Sequence, residues 1–83
     1  MEIVYLVETQ SDYLWMFTYY SQIFPEGKLK AELHYEATER LLSENPYIGR
    51  QISKDGIREL SISRKPFSFI YRAKPDRIEV LRI

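Results

Sequence analysis

Residues 56–83 read GIRELSISRKPFSFIYRAKPDRIEVLRI, and the fold turns on how this stretch divides. Three short runs of β-branched and aromatic residues are separated by Arg64-Lys65-Pro66 and by Lys74-Pro75-Asp76. Such residues fit a pleated surface and the proline-containing breaks supply turns, so the stretch predicts three antiparallel strands in a meander. With Ser63 facing Pro66 across a short hairpin turn, Leu60 meets Phe69 and Ile62 meets Phe67, and these large apolar side chains share one face. That face needs a cover. The other face carries Glu59, Ser61, Ser68, Ile70 and Arg72, too polar to be buried and too apolar at Ile70 for a plain solvent face. It is a candidate binding surface.

The cover comes from the residues that precede it. Ile3, Tyr5 and Val7 alternate with Val4 and Leu6, so residues 2–8 predict a strand that is apolar on both faces and paired inside the sheet. Thr9 or Ser11 offers a side-chain oxygen to a first helical turn, and a helix is expected over residues 12–24 with Leu14, Phe17, Ser21 and Phe24 on one stripe. Pro25-Glu26-Gly27 stops it. A second helix runs from Lys28 through Leu29, Leu33, Ala37 and Leu41, with Glu32, Glu36, Glu39 and Arg40 outside. Asn45-Pro46 ends it, because the residue before proline is pushed out of the helical region. Two antiparallel helices joined by a tight turn can lie on the apolar sheet face. The prediction is one α+β domain over residues 1–83 in the order β-α-α-β-β-β, an antiparallel sheet with a helical hairpin on one face. Its core is expected to include Leu14, Phe17, Leu33, Ala37, Leu41, Leu60, Ile62, Phe67 and Phe69.

A chain of 83 residues buries only about 60–65% of its unfolded surface, so a partner would add to a marginal stability. There is no cysteine and one histidine, which leaves neither a disulfide framework nor a thiolate or histidine-rich metal centre, and no cofactor is expected. The opening Met-Glu-Ile-Val-Tyr-Leu-Val lacks a basic leader and is too short to span a bilayer, so a cytoplasmic protein without membrane association is expected. The net charge of zero hides a separation. Residues 1–49 hold three Lys or Arg against eight carboxylates, a net −5, and residues 50–83 hold nine against four, a net +5. That asymmetry points to an acidic or phosphate-bearing partner for the basic half, or to a solvated sheet rim.

Asn45-Pro46-Tyr47-Ile48-Gly49-Arg50 is the sharpest local signal: Pro46 fixes a turn, Gly49 permits a positive φ, and Arg50 opens the basic half. A helix stop with Tyr47 and Ile48 packed behind it accounts for the same residues. Arg58 shares the parity of Leu60 and Ile62, so it starts on the core side and either snorkels past the sheet edge or meets a carboxylate. Antiparallel pairing gathers Arg58, Arg72 and Arg77 at one end of the meander, as a site for phosphates or a partner's carboxylates or as a solvated rim. Trp15 and the tyrosines at 13, 19 and 20 exceed what two short helices can hide, so some of them face a partner. His34, between Glu32 and Glu36, reads as a surface or half-buried histidine. A Gly-rich phosphate loop, a Ser-His-Asp order and a paired acid and base are all missing, so the residues make no case for catalysis.

The runs Leu41-Leu42-Ser43-Glu44-Asn45-Pro46-Tyr47-Ile48-Gly49-Arg50, Gly56-Ile57-Arg58-Glu59-Leu60, Pro66-Phe67-Ser68-Phe69-Ile70-Tyr71-Arg72 and Ile78-Glu79-Val80-Leu81-Arg82-Ile83 resemble the RelE/ParE superfamily of bacterial toxins, over essentially the whole chain. The resemblance implies a type II toxin–antitoxin module, in which a small toxin is silenced by a cognate antitoxin whose extended tail wraps over it. RelE-like members cut messenger RNA in the ribosome with basic residues on the middle strands and beyond the last one; ParE-like members lack that set and poison DNA gyrase. Aligned on Tyr71, the positions of the RelE-type lysines hold Glu59 and Ser61, and Ser68 replaces the arginine of the next strand. The resemblance therefore implies the ParE-like branch, a gyrase inhibitor without catalytic residues. The alternatives are a RelE-like ribosome-dependent endonuclease and a degenerate toxin that keeps only antitoxin binding; the latter arises because family members usually continue in a short, often basic tail where this sequence ends at Ile83. Candidates for antitoxin or target binding are Arg50, Arg58, Arg72, Arg77, Arg82, Trp15 and Tyr19. No metal site and no sequence-specific nucleic-acid binding is expected.

Overall fold

The apolar alternation and the helix stops fall largely where the sequence puts them in the computed structural model, which describes residues 1–62 and 67–83. In chain order the elements are β1 (Glu2–Tyr5), α1 (Thr9–Thr18), a π-helical turn (Tyr19–Ile23), a 3-10 turn (Pro25–Gly27), α2 (Lys28–Glu44), β2 (Arg50–Gln51), β3 (Ile57–Ser61), β4 (Ser68–Ala73) and β5 (Arg77–Arg82). The strands form one sheet in the order β1-β5-β4-β3-β2. This is the expected α+β arrangement, with the short strand β2 added beside β3.

The register of the meander is the expected one. Leu60 is paired with Phe69, and the Ile62 amide donates to the Phe67 carbonyl at 2.9 Å. The turn read across Ser63 and Pro66, with Arg64 and Lys65, lies outside the described residues. β1 departs from expectation: it lies at the sheet edge, not inside the sheet, and runs parallel to β5 with Ile3 opposite Ile78 and Tyr5 opposite Val80. The sheet is therefore mixed. Ile78 and Val80 are fully buried, so β5 takes the inner position and the half-buried β1 closes its free edge. Thr9 also departs from its expected capping role. Its hydroxyl donates back to the Leu6 carbonyl at 2.5 Å, and the helix starts behind Glu8 without a side-chain cap.

The core comprises Met16, Tyr35, Leu42, Ile62, Phe67, Phe69, Tyr71, Ile78 and Val80, with Phe17 and Leu60 half-buried against it. The sheet half of the predicted core is thus correct and much of the helical half is not: Leu14, Leu33, Ala37 and Leu41 are exposed. Both helices are rotated about their axes relative to the leucine-based expectation. α2 turns Ala31, Tyr35, Thr38 and Leu42 inward, positions that recur as regularly as the leucines do. The Tyr35 ring lies over Phe69 at 5.2 Å between centroids, and its hydroxyl donates to that of Tyr5 at 2.7 Å. A large ring with its polar tip satisfied fills the wide space above the sheet centre better than a leucine would. The consequence is that the leucine stripe faces outward.

The segment from Asn45 to Gly49 is tied down from below. The Gly49 amide donates to the buried Tyr71 hydroxyl at 2.9 Å, and burial pushes that phenol above its ordinary pKa of 10.0. The glycine with positive φ is Gly56, at 82°, not Gly49. Gly49 is needed for close approach instead, since a β-carbon there would stand 2.7 Å from the Tyr71 oxygen.

Candidate functional site

The arginines named from the sequence all have partners within the chain. Arg50 on β2 pairs with Glu59 on β3 at 2.8 Å. Arg72 and Arg77 converge on Glu79, at 2.9 Å each, and Arg77 also reaches Asp76. These two guanidinium groups, Arg72 first, hold the Glu79 carboxyl below its ordinary range. Arg82 grips Asp12 with two hydrogen bonds, at 2.6 and 2.8 Å, and so ties the end of β5 to α1 and lowers the Asp12 pKa. Arg58 takes neither of its expected routes. On the Tyr71 face of the sheet it donates to the carbonyls of Tyr47 at 3.1 Å and Gly49 at 2.7 Å, with its guanidinium 5.2 Å from the centre of the Tyr47 ring. It braces the loop after α2. Arg72 and Arg77 do meet, as expected, but strand alternation puts Arg58 on the opposite face, since its cross-strand partner is Tyr71 and not Arg72.

The helical hairpin presents a different surface. Tyr19 is half-buried, edge-on to Tyr20 at 5.1 Å and to Phe67 at 5.7 Å; it is a core contact first. Trp15 is 56% exposed, and Leu14, Leu29 and Leu33 stand out at 66%, 69% and 56%. Ile23 and Phe24 are exposed beside them. This is a run of large apolar side chains of the kind that soluble surfaces cover with a partner.

Between α1 and α2 lies a cleft of about 660 Å³, walled by Tyr5, Tyr13, Leu14, Phe17 and Tyr35 and by Glu32, Glu36 and Glu39, with Thr9 and Gln10 at the α1 side. Tyr13 lies tilted against Phe17 at 4.6 Å between ring centroids and meets Tyr35 edge-on at 5.6 Å. The Tyr5 hydroxyl donates to a Glu39 carboxylate oxygen. Burial, reinforced by Glu39, pushes the Tyr5 phenol far above its ordinary pKa, and burial pushes Tyr35 up to about 12. Both remain hydroxyl donors across the physiological range. Sequence reading placed Glu32, Glu36 and Glu39 on the outside and did not see the cleft. Their i, i+4, i+7 spacing was the available signal that they share one side of α2.

Among the described residues no group of His, Asp or Glu is arranged to hold a metal ion, and no helix is long and apolar enough to cross a membrane. Neither a protein-family model nor a curated protein matches the sequence. Among solved structures, a chain of the chromosomal ParDE TA system from P. aeruginosa is similar at 29% identity and a TM-score of 0.78, and the match covers 100% of this chain and 92% of that one. The match covers the helical hairpin, the meander and the Asn45–Arg50 turn alike, and this likeness to a ParDE toxin–antitoxin system supports the reading of this chain as a ParE-like toxin.

Proposed function

We propose that this toxin is silenced by a cognate antitoxin bound over the helical hairpin, and that its free form acts on DNA gyrase in the bacterial cytoplasm. The observation that carries the first half is the uncovered apolar surface of the hairpin, Leu14, Trp15, Leu29 and Leu33, in a chain too small to leave such surface exposed at no cost. A partner lying across these residues covers what the fold does not.

The second half rests on what stands where a RelE-like toxin carries its nuclease residues. Glu59 is ion-paired with Arg50, and Ser61 and Ser68 face each other across β3 and β4. Neither serine is a general base at neutral pH, and the Arg50 guanidinium beside them is already engaged by the Glu59 carboxylate. The test is to express the chain with and without the product of any small open reading frame that adjoins its gene. Growth arrest with gyrase-linked cleaved DNA, relieved by that product, is the expected result. Cleavage of messenger RNA on programmed ribosomes by the purified protein, well above a buffer control, would move it to the RelE-like branch.

A further inference from the structure

We propose that the cleft between α1 and α2 seats an amphipathic segment of the antitoxin which inserts a lysine or arginine side chain between the tyrosines and Glu32, Glu36 and Glu39. This deepens the antitoxin reading above and rests on it. The sign of the charge is the new element. The net +5 of residues 50–83 suggests a partner that brings carboxylates, yet the named arginines there are already held, four by carboxylates and Arg58 by two carbonyls. On the hairpin the balance is reversed: among the described residues Glu32, Glu36 and Glu39 make no ion pair, and no Lys or Arg lines the cleft.

Hydrogen-bond direction points the same way. The Tyr35 hydroxyl donates to Tyr5, Tyr5 donates to Glu39, and Thr9 donates to the Leu6 carbonyl. These three protons are therefore already engaged; the Tyr13 hydroxyl and the Gln10 amide still offer donors, but every charged group that lines the cleft is a carboxylate and hence an acceptor. Ammonium and guanidinium are donors only, so they match it. The aromatic walls at Tyr13, Phe17 and Tyr35 suit both the alkyl stem and the cationic head of such a side chain. An acidic segment would meet three uncompensated carboxylates. The cleft, at about 660 Å³, exceeds a single side chain, and Leu14 on one rim with Leu29 and Leu33 beside the other extends the contact to the apolar residues of an amphipathic segment.

The probe is the product of the adjoining open reading frame, titrated into the full chain at low and high salt. Glu32→Gln and Glu36→Gln should each weaken binding on the order of tenfold at low salt and less at high salt, since screening and a partly exposed cation–π site set the scale. Glu36→Lys should weaken it further, and reversal of one basic residue of the antitoxin to Glu should restore affinity to Glu36→Lys alone. Glu36 is exposed and unpaired, so thermal melts of these variants should match the wild type. Unchanged affinity in Glu32→Gln and Glu36→Lys, with the wild type binding normally, overturns the cleft proposal and leaves the antitoxin reading standing. No binding by the wild type overturns both. Self-association of the chain that Leu14→Glu abolishes, with antitoxin affinity untouched, assigns the cleft to a second copy and overturns the proposal.

Discussion

A single methyl group at Gly49 probes how tightly the loop after α2 is held to the sheet. A β-carbon there would lie 2.7 Å from the Tyr71 oxygen, 2.8 Å from Tyr71 Cε1 and 2.8 Å from the Glu59 carbonyl oxygen, all closer than the 3.0 Å that real β-carbons respect. Neither neighbour can swing aside: Tyr71 is fully buried, and the Glu59 carbonyl belongs to β3. The loop itself must lift. Overpacking of this kind costs about 1–3 kcal/mol, and loss of the Gly49–Tyr71 hydrogen bond adds about 0.5–1.5 kcal/mol. Gly49→Ala should therefore destabilise the protein by about 2–4 kcal/mol, which at ~4–8 °C per kcal/mol lowers Tm by roughly 8–32 °C. Urea titration and thermal melting followed by circular dichroism measure it. Gly56→Ala is the contrasting case, because nothing lies within 4 Å of a β-carbon there and only the φ of +82° opposes it. Its cost should be about 1–2 kcal/mol, largely recovered in Gly56→Asn, which tolerates the left-handed region. In the Tyr71→Phe background one of the three clashes disappears, so Gly49→Ala should cost less than in the wild type. A Gly49→Ala protein with the wild-type urea midpoint and Tm would refute the close approach of loop and sheet.

Phe69 is fully buried under Tyr5 and Tyr35, so Phe69→Ala should cost about 3–5 kcal/mol by urea unfolding; an unchanged midpoint would mean the core is centred elsewhere. Asp12 and Glu79 are held below their ordinary values of 3.8 and 4.5 by Arg82 and by Arg72 with Arg77. Folded carboxyls that bind protons less readily than unfolded ones contribute stability above those values and lose it as pH falls through them, so an acid titration of Tm should drop below about pH 4.5, and less in Asp12→Asn. At the alkaline end the sign is opposite. Tyr5, Tyr20, Tyr35 and Tyr71 are raised above 10.0 by burial, so their share of stability is present below that pH and lost above it, and an ultraviolet tyrosinate titration should show these phenols ionising only together with unfolding. A smooth titration of all seven tyrosines in the folded protein would contradict their burial.

For the candidate site, the leucines illustrate why sequence was a partial guide. Leu29, Leu33, Ala37 and Leu41 recur with helical spacing, and so do Ala31, Tyr35, Thr38 and Leu42 one step round. Hydropathy prefers the first stripe. The structure buries the second, because a tyrosine whose hydroxyl finds a partner on β1 fits the space over Phe69, and that partner lies thirty residues away in the chain. The arginines were only partly legible in a related way. Their count and parity were legible, but whether each was free depended on Glu59, Glu79 and Asp12 arriving from other strands and from α1.

Local chemistry determined the elements: alternation of apolar residues made the strands, Pro25 to Gly27 and Asn45-Pro46 ended the helices, and cross-strand pairing of Leu60 with Phe69 followed from the parity of the meander. These depend on residues close in sequence, and period and turn residues report on them directly. Tertiary structure alone decided that β1 runs parallel at the edge beside β5, that the helices turn their leucines outward, and that three glutamates and three tyrosines enclose a cleft. Each of those outcomes depends on which distant surface fills the space above the sheet, a competition between shape and hydrogen bonding that hydropathy along one segment does not record.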